Sequence, residues 1–84
     1  MDIRIGKVTH YFDAISVAVL ELQQELKVGE TIHILGRQTD FSQQVTSMEI
    51  EHQKIQTGGP GAEVALKVIA PVREGDILYK VLQD

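Results

Sequence analysis

Leu26-Lys27-Val28-Gly29-Glu30-Thr31-Ile32-His33-Ile34-Leu35-Gly36 is the stretch that decides the fold. Its first half reads as a tight turn. Gly29 supplies the positive φ that residues with side chains resist, and the Glu30 carboxylate is placed to accept a hydrogen bond from a turn amide. In the second half Ile32 and Ile34 alternate around His33 with period two, the mark of a strand with one buried face, and Gly36 ends the run. The turn is used again. Val72-Arg73-Glu74-Gly75-Asp76-Ile77-Leu78 repeats it type by type: apolar, basic, variable, glycine, acidic, variable, apolar. Gly75 and Asp76 take the structural places of Gly29 and Glu30. Two copies of a seven-residue turn do not make a repeat protein, but they set a rhythm of turn followed by strand.

The rhythm holds on both sides. Ile3 and Ile5 alternate with Arg4 before Gly6, and Val8-Thr9 leads into His10-Tyr11-Phe12. Asp13-Ala14 makes a turn, after which Ile15, Val17 and Val19 follow with period two. The segment from Ile15 to Leu26 also carries apolar residues at helical spacing. Its β-branched residues favour a strand through about Leu22, with one helical turn near Gln23 left open. Val45 opens another strand, in which Met48 and Ile50 alternate with Glu49 and Glu51. Gly58-Gly59-Pro60-Gly61 is the strongest breaker, read as a flexible turn. Val64, Leu66 and Val68, then Ile77, Tyr79 and Val81, complete the pattern. The expectation is an all-β chain of six strands, each about five to nine residues, folded as a small barrel or sandwich.

Composition sets the outer limits. The chain has 84 residues, room for one domain (1–84) and one modest core. It is 43% hydrophobic and 24% charged, which suits a globular domain. Eight Lys and Arg against twelve Asp and Glu leave a net charge of −4. That sign disfavours RNA or the ribosome as a partner and argues against DNA, because nucleic-acid binding rests on phosphate neutralisation. The absence of cysteine removes a disulfide framework, a thiolate metal site and a cysteine nucleophile. No apolar run approaches the ~20 residues of a membrane span, so no membrane role is expected and a cytoplasmic location is.

Candidate sites are sparse. His10, His33 and His52 have no short ligand spacing among them, so no metal is expected. Asp40, Glu49, Glu51, Glu63, Glu74 and Asp76 show no acid–base pairing, and Ser16, Ser42 and Ser47 lack a nucleophile-elbow context. Gly58-Gly59-Pro60-Gly61 precedes a strand rather than a helix and carries no phosphate cradle. No cofactor and no active site are expected. His52 falls on the Met48 and Ile50 face, which would leave it half-buried. Two stretches suit partner binding. In the polar segment from Arg37 to Gln44, Phe41 stands between hydrogen-bonding residues. It is either an exposed contact, with Arg37, Thr39 and Asp40, or a plug tucked into one end of the core. Asp40 is also a candidate cap for the turn amides. In His10-Tyr11-Phe12, neighbouring aromatics cannot share one strand face. One belongs inside, while Lys7, His10 and Tyr11 are candidates for a basic-aromatic contact patch.

Five of these motifs, in order, resemble the second domain of the translation GTPases such as elongation factor Tu. They are Ile5-Gly6-Lys7-Val8, the Leu26–Gly36 stretch, Val45-Thr46-Ser47-Met48, Gly61-Ala62-Glu63-Val64-Ala65-Leu66 and the Val72–Leu78 turn. Gly36-Arg37-Gln38-Thr39-Asp40-Phe41 together with Val45 to His52 is similar to small translation-factor-like proteins. It also resembles the C-terminal domain of collagenase-like peptidases. The resemblance implies a closed six-stranded antiparallel barrel. It implies a non-catalytic binding module without a GTPase domain, since no phosphate loop is present. The partner would be a protein or RNA in translation. The alternative is a protein–protein adaptor for a separately encoded collagenase-like peptidase or RNA-modifying enzyme. The family's basic residue before the fifth strand is missing in Gly58-Gly59-Pro60-Gly61, so no RNA-binding residue carries over.

Overall fold

The computed structural model describes residues 2–82, and all the regular structure in them is β. The strands are β1 (Asp2–Phe12), β2 (Val17–Leu22), β3 (Leu26–Lys27), β4 (Thr31–Leu35) and β5 (Asp40–Gln44), then β6 (Met48–Ile50), β7 (Gln53–Ile55), β8 (Thr57–Gly58), β9 (Glu63–Lys67) and β10 (Ile77–Val81). Eight of them form one sheet in the order β5-β4-β10-β1-β2-β9-β6-β7, and every pairing is antiparallel. β3 and β8 form a separate two-stranded ribbon. It holds residues read from sequence as turn: Leu26-Lys27 and the start of the glycine-rich stretch.

The expected closed six-stranded barrel is not what the ladders make. β5 and β7 are the two sheet edges, and no ladder joins them. The physical reason lies in the run from Asp40 to Ile50. Its first half pairs with β4, then the chain bends through Val45-Thr46-Ser47 and its second half pairs with β9. The seam is bridged by a side chain: the buried Gln43 amide donates to the Lys67 carbonyl at 2.9 Å, and its oxygen accepts from the Ile69 amide at 2.9 Å. One core results. Ile34 of β4 and Leu66 of β9, at distant places in the sheet order, belong to the same buried cluster with Ile5, Leu20, Ile32 and Leu78.

Two β-bulges in β1 reset which face each residue takes. A register shift between Arg4 and Gly6 leaves Ile3 41% exposed while Ile5 is fully buried, so the Ile3–Ile5 alternation fails at its first member. A second shift between Val8 and His10 turns Val8 inward, His10 outward and Tyr11 back toward the core. β2 ends at Leu22 in a bend, with no helical turn near Gln23.

The two glycine turns are built alike. Gly29 has φ 98° and Gly75 φ 92°. The Glu30 carboxylate accepts from the Lys27 amide at 2.7 Å, and the Asp76 carboxylate accepts from the Arg73 amide at 2.8 Å. Each turn docks on a strand in the same way: Gly29 N to Val45 O and Val45 N to Glu30 O, Gly75 N to Val8 O and Val8 N to Asp76 O. The correspondence extends to the strands. Exchanging β1 with the β5–β6 run, β2 with β9 and β4 with β10 interchanges β1–β10 with β4–β5 and β1–β2 with β6–β9, and maps β2–β9 and β4–β10 each onto itself. The domain is a pseudo-twofold of two halves, with the β2–β9 and β4–β10 ladders on the axis.

Candidate functional site

The sequence-predicted contact residues do not converge. In the Arg37–Gln44 stretch Arg37 is exposed, but Thr39 is buried and exchanges backbone hydrogen bonds with Gly36. Phe41 is half-buried and packs against the core cluster, the plug of the two readings. Asp40 caps no turn amide; its exposed carboxylate lies 2.6 Å from His33 Nε2, because the β4–β5 register pairs Asp40 with Leu35 and so puts His33, two residues back along β4, diagonally across from it on the same face. His33 Nδ1 is 3.8 Å from Asp2. At the other stretch Lys7 lies opposite Glu21 and Ile77, and Tyr11 turns inward against the core. His10 and Phe12 share the outer face, their rings in edge contact with centroids 4.3 Å apart. His52 is exposed in the β6–β7 turn, not half-buried on a strand face.

A different surface emerges instead. The outer faces of β2 and β9 carry Val17, Val19 and Ala65 between two projecting connections. On one side is the β1–β2 turn, with Phe12 47% and Ile15 59% exposed. On the other is the β6–β7 hairpin, with Glu49, Glu51 and His52. Together they enclose a recess of about 480 Å³, continued along Ile50 and Glu63. The backbone is strained at both rims: Ser16 (φ 55°), Glu51 (φ 50°) and His52 (φ 65°) are the non-glycine residues with positive φ among those described. Each such conformation costs about 1–2 kcal/mol, and neighbouring structure has to impose it. Lys67 contributes a cation to the recess; Glu49, Glu51 and Glu63 form no ion pair among the described residues. The sequence held a signal for this surface in Ile15, an apolar residue at a turn, and in Glu49 alternating outward. The bulge that sends Phe12 outward left no such mark.

Chemically the surface can bind but shows no reactive constellation. Ser47, Glu49 and His52 all line it, but no hydrogen bond links their side chains among the described residues, and no described group of three or more His, Asp and Glu is gathered to hold a metal ion. Among the described residues no helix is long and apolar enough to cross a membrane.

No protein-family model matches the chain. It is 40% identical over 78 residues to an uncharacterized protease of Methanocaldococcus jannaschii, an alignment covering 92% of this chain and 19% of that protein. The chain thus spans about a fifth of the length of this relative. Its fold matches the C-terminal domain of a protein described as a U32 peptidase from Geobacillus thermoleovorans. The TM-score is 0.89 at 18% identity, covering 94% of this chain and 92% of that domain. The selenomethionine form of the same domain gives a TM-score of 0.85, again at 18% identity, over 89% and 95% of the two chains. The fold is that of the peptidase C-terminal domain, one of the three resemblances read from the sequence. The resemblance to domain II of the translation GTPases gains no support from these relatives.

Proposed function

We propose that this chain is a non-catalytic accessory module serving a peptidase-like catalytic partner, the adaptor reading of the sequence. The observation that carries it is the protease alignment: nearly all of this chain matches a fifth of a larger protein that has ample length elsewhere for catalysis. The fold agreement with a peptidase C-terminal domain supports the same reading, as does the negative net charge, which suits a protein partner better than RNA. A graft tests it. This chain replaces the matching segment of the M. jannaschii protein, and the chimera is compared with a version truncated at that segment. The chimera is expected to be monodisperse, with the melting temperature of its catalytic part and any peptide hydrolysis held near the parent's, while the truncation loses both. A chimera that behaves as the truncation does overturns the reading.

A further inference from the structure

We infer that the recess between the β1–β2 turn and the β6–β7 hairpin is a polypeptide-capture site for an extended segment in which a Lys or Arg stands beside an apolar side chain. This deepens the accessory-module reading and rests on it in one respect: polypeptide is what a peptidase-like partner handles. The size fits. About 480 Å³ holds a few side chains of an extended strand, whereas a folded domain would meet a broader surface. The walls fit as well. Phe12 and Ile15 leave about half their surface in water and would gain from covering, at ~25 cal/mol per Å² of apolar area removed from it. The charge fixes the occupant. Glu49 of β6 lies opposite Ala65 of β9, Glu63 stands two residues along β9 on the same face and opposite Glu21 of β2, Glu51 stands at the hairpin tip, and none of Glu49, Glu51 and Glu63 is ion-paired among the described residues. Lys67 stands at one end and Lys54 lies opposite Glu49 on the hairpin; against these two cations the carboxylates of Glu21, Glu49, Glu51 and Glu63 leave a negative excess that a cation entering along β9 meets. A phosphate backbone would meet repulsion at the same place.

Fluorescence anisotropy tests the inference with the chain alone and two short labelled peptides, one of Lys, Leu and Ser and one with Glu in place of every Lys. The basic peptide is expected to bind roughly tenfold or more tightly than the acidic one, and more weakly as salt is raised. Glu49→Lys and Glu63→Lys are expected to weaken it at least ~3-fold each, and Ile15→Ala, at an exposed position, to weaken it too. Glu74→Lys makes the same change in net charge on an exposed turn outside the recess and is expected to leave the affinity within about twofold. Equal binding of the two peptides, no binding of either, or equal loss in the Glu74 and Glu49 variants would each overturn the site. Circular dichroism on every variant separates lost binding from lost folding. The titration needs no partner. Its failure leaves the graft result standing, and a failed graft beside a normal titration removes the peptidase-like partner without removing the site.

Discussion

At the scale of single residues, the two glycine turns carry the clearest energetic predictions. Asp76 and Glu30 make the same hydrogen bond, but Asp76 is 5% exposed and Glu30 remains partly open to water. Removing a buried partner strands the Arg73 amide, so Asp76→Ala is expected to cost about 1–3 kcal/mol and Glu30→Ala under ~1 kcal/mol. Urea titration of both variants measures the difference, and equal losses would refute the burial argument. Gly6 is held by close approach: a Cβ there would collide with the Glu21 carbonyl oxygen, a backbone atom that cannot step aside. Gly6→Ala is therefore expected to cost about 3 kcal/mol. Phe41→Ala is expected to lower stability by about 2 kcal/mol through lost packing, less than a fully buried phenylalanine because Phe41 is half-exposed. Both turn carboxylates were legible in the sequence because a local pattern of glycine and acid encodes them. The His33–Asp40 contact was not, since it depends on how β4 pairs with β5, and no residue in either strand announces that register.

At the scale of elements, alternation was readable in β4 and β9, which bury the residues their period-two pattern points inward: Ile32 and Ile34, Val64 and Leu66. In β2 and β10 the series Ile15, Val17, Val19 and Ile77, Tyr79, Val81 lies on the outer face, and Ala18, Leu20, Leu22 and Leu78 fill the core instead, because both faces of these strands carry apolar residues and period two alone does not choose between them. β1 defeats the pattern because its two bulges each insert a residue and reverse the faces beyond them. That is why Ile3 lies outside and Tyr11 inside. The β6–β7 hairpin turns on Glu51-His52, both left-handed, where Asn-Gly would suit a two-residue loop. Replacing Glu51-His52 by Asn-Gly is expected to stabilise the domain by about 1–2 kcal/mol, visible as a higher melting temperature. No gain would mean that neighbouring contacts offset the backbone strain.

At the scale of the whole molecule, the repeated turn noticed in the sequence is the visible part of a larger symmetry. Leu26–Ile32 and Val72–Leu78 resemble each other because each half of the pseudo-twofold needs the same docking turn; the strands between are matched in pairing more than in residue type. An even spacing of strands allowed a barrel to be expected. The switch of one run from β4 to β9, which leaves the ladders open, lies beyond what periodicity encodes. The seam depends on Gln43. Gln43→Ala is expected to cost about 1–3 kcal/mol and to speed hydrogen exchange at the Ile69 amide, while the β2–β9 ladder stays protected. The recess is a whole-molecule feature too, assembled from β1, β2, β6 and β9, which explains why no single motif revealed it.

The central claim, service to a peptidase-like partner rather than to RNA, is tested most directly by nuclear magnetic resonance. The isotopically labelled chain is titrated with the M. jannaschii protein truncated at the matching segment and, separately, with transfer RNA at low salt. The account predicts saturable shifts of amides on one continuous face with the protein and none with the RNA. Shifts with transfer RNA and a silent spectrum with the truncated protein would contradict it.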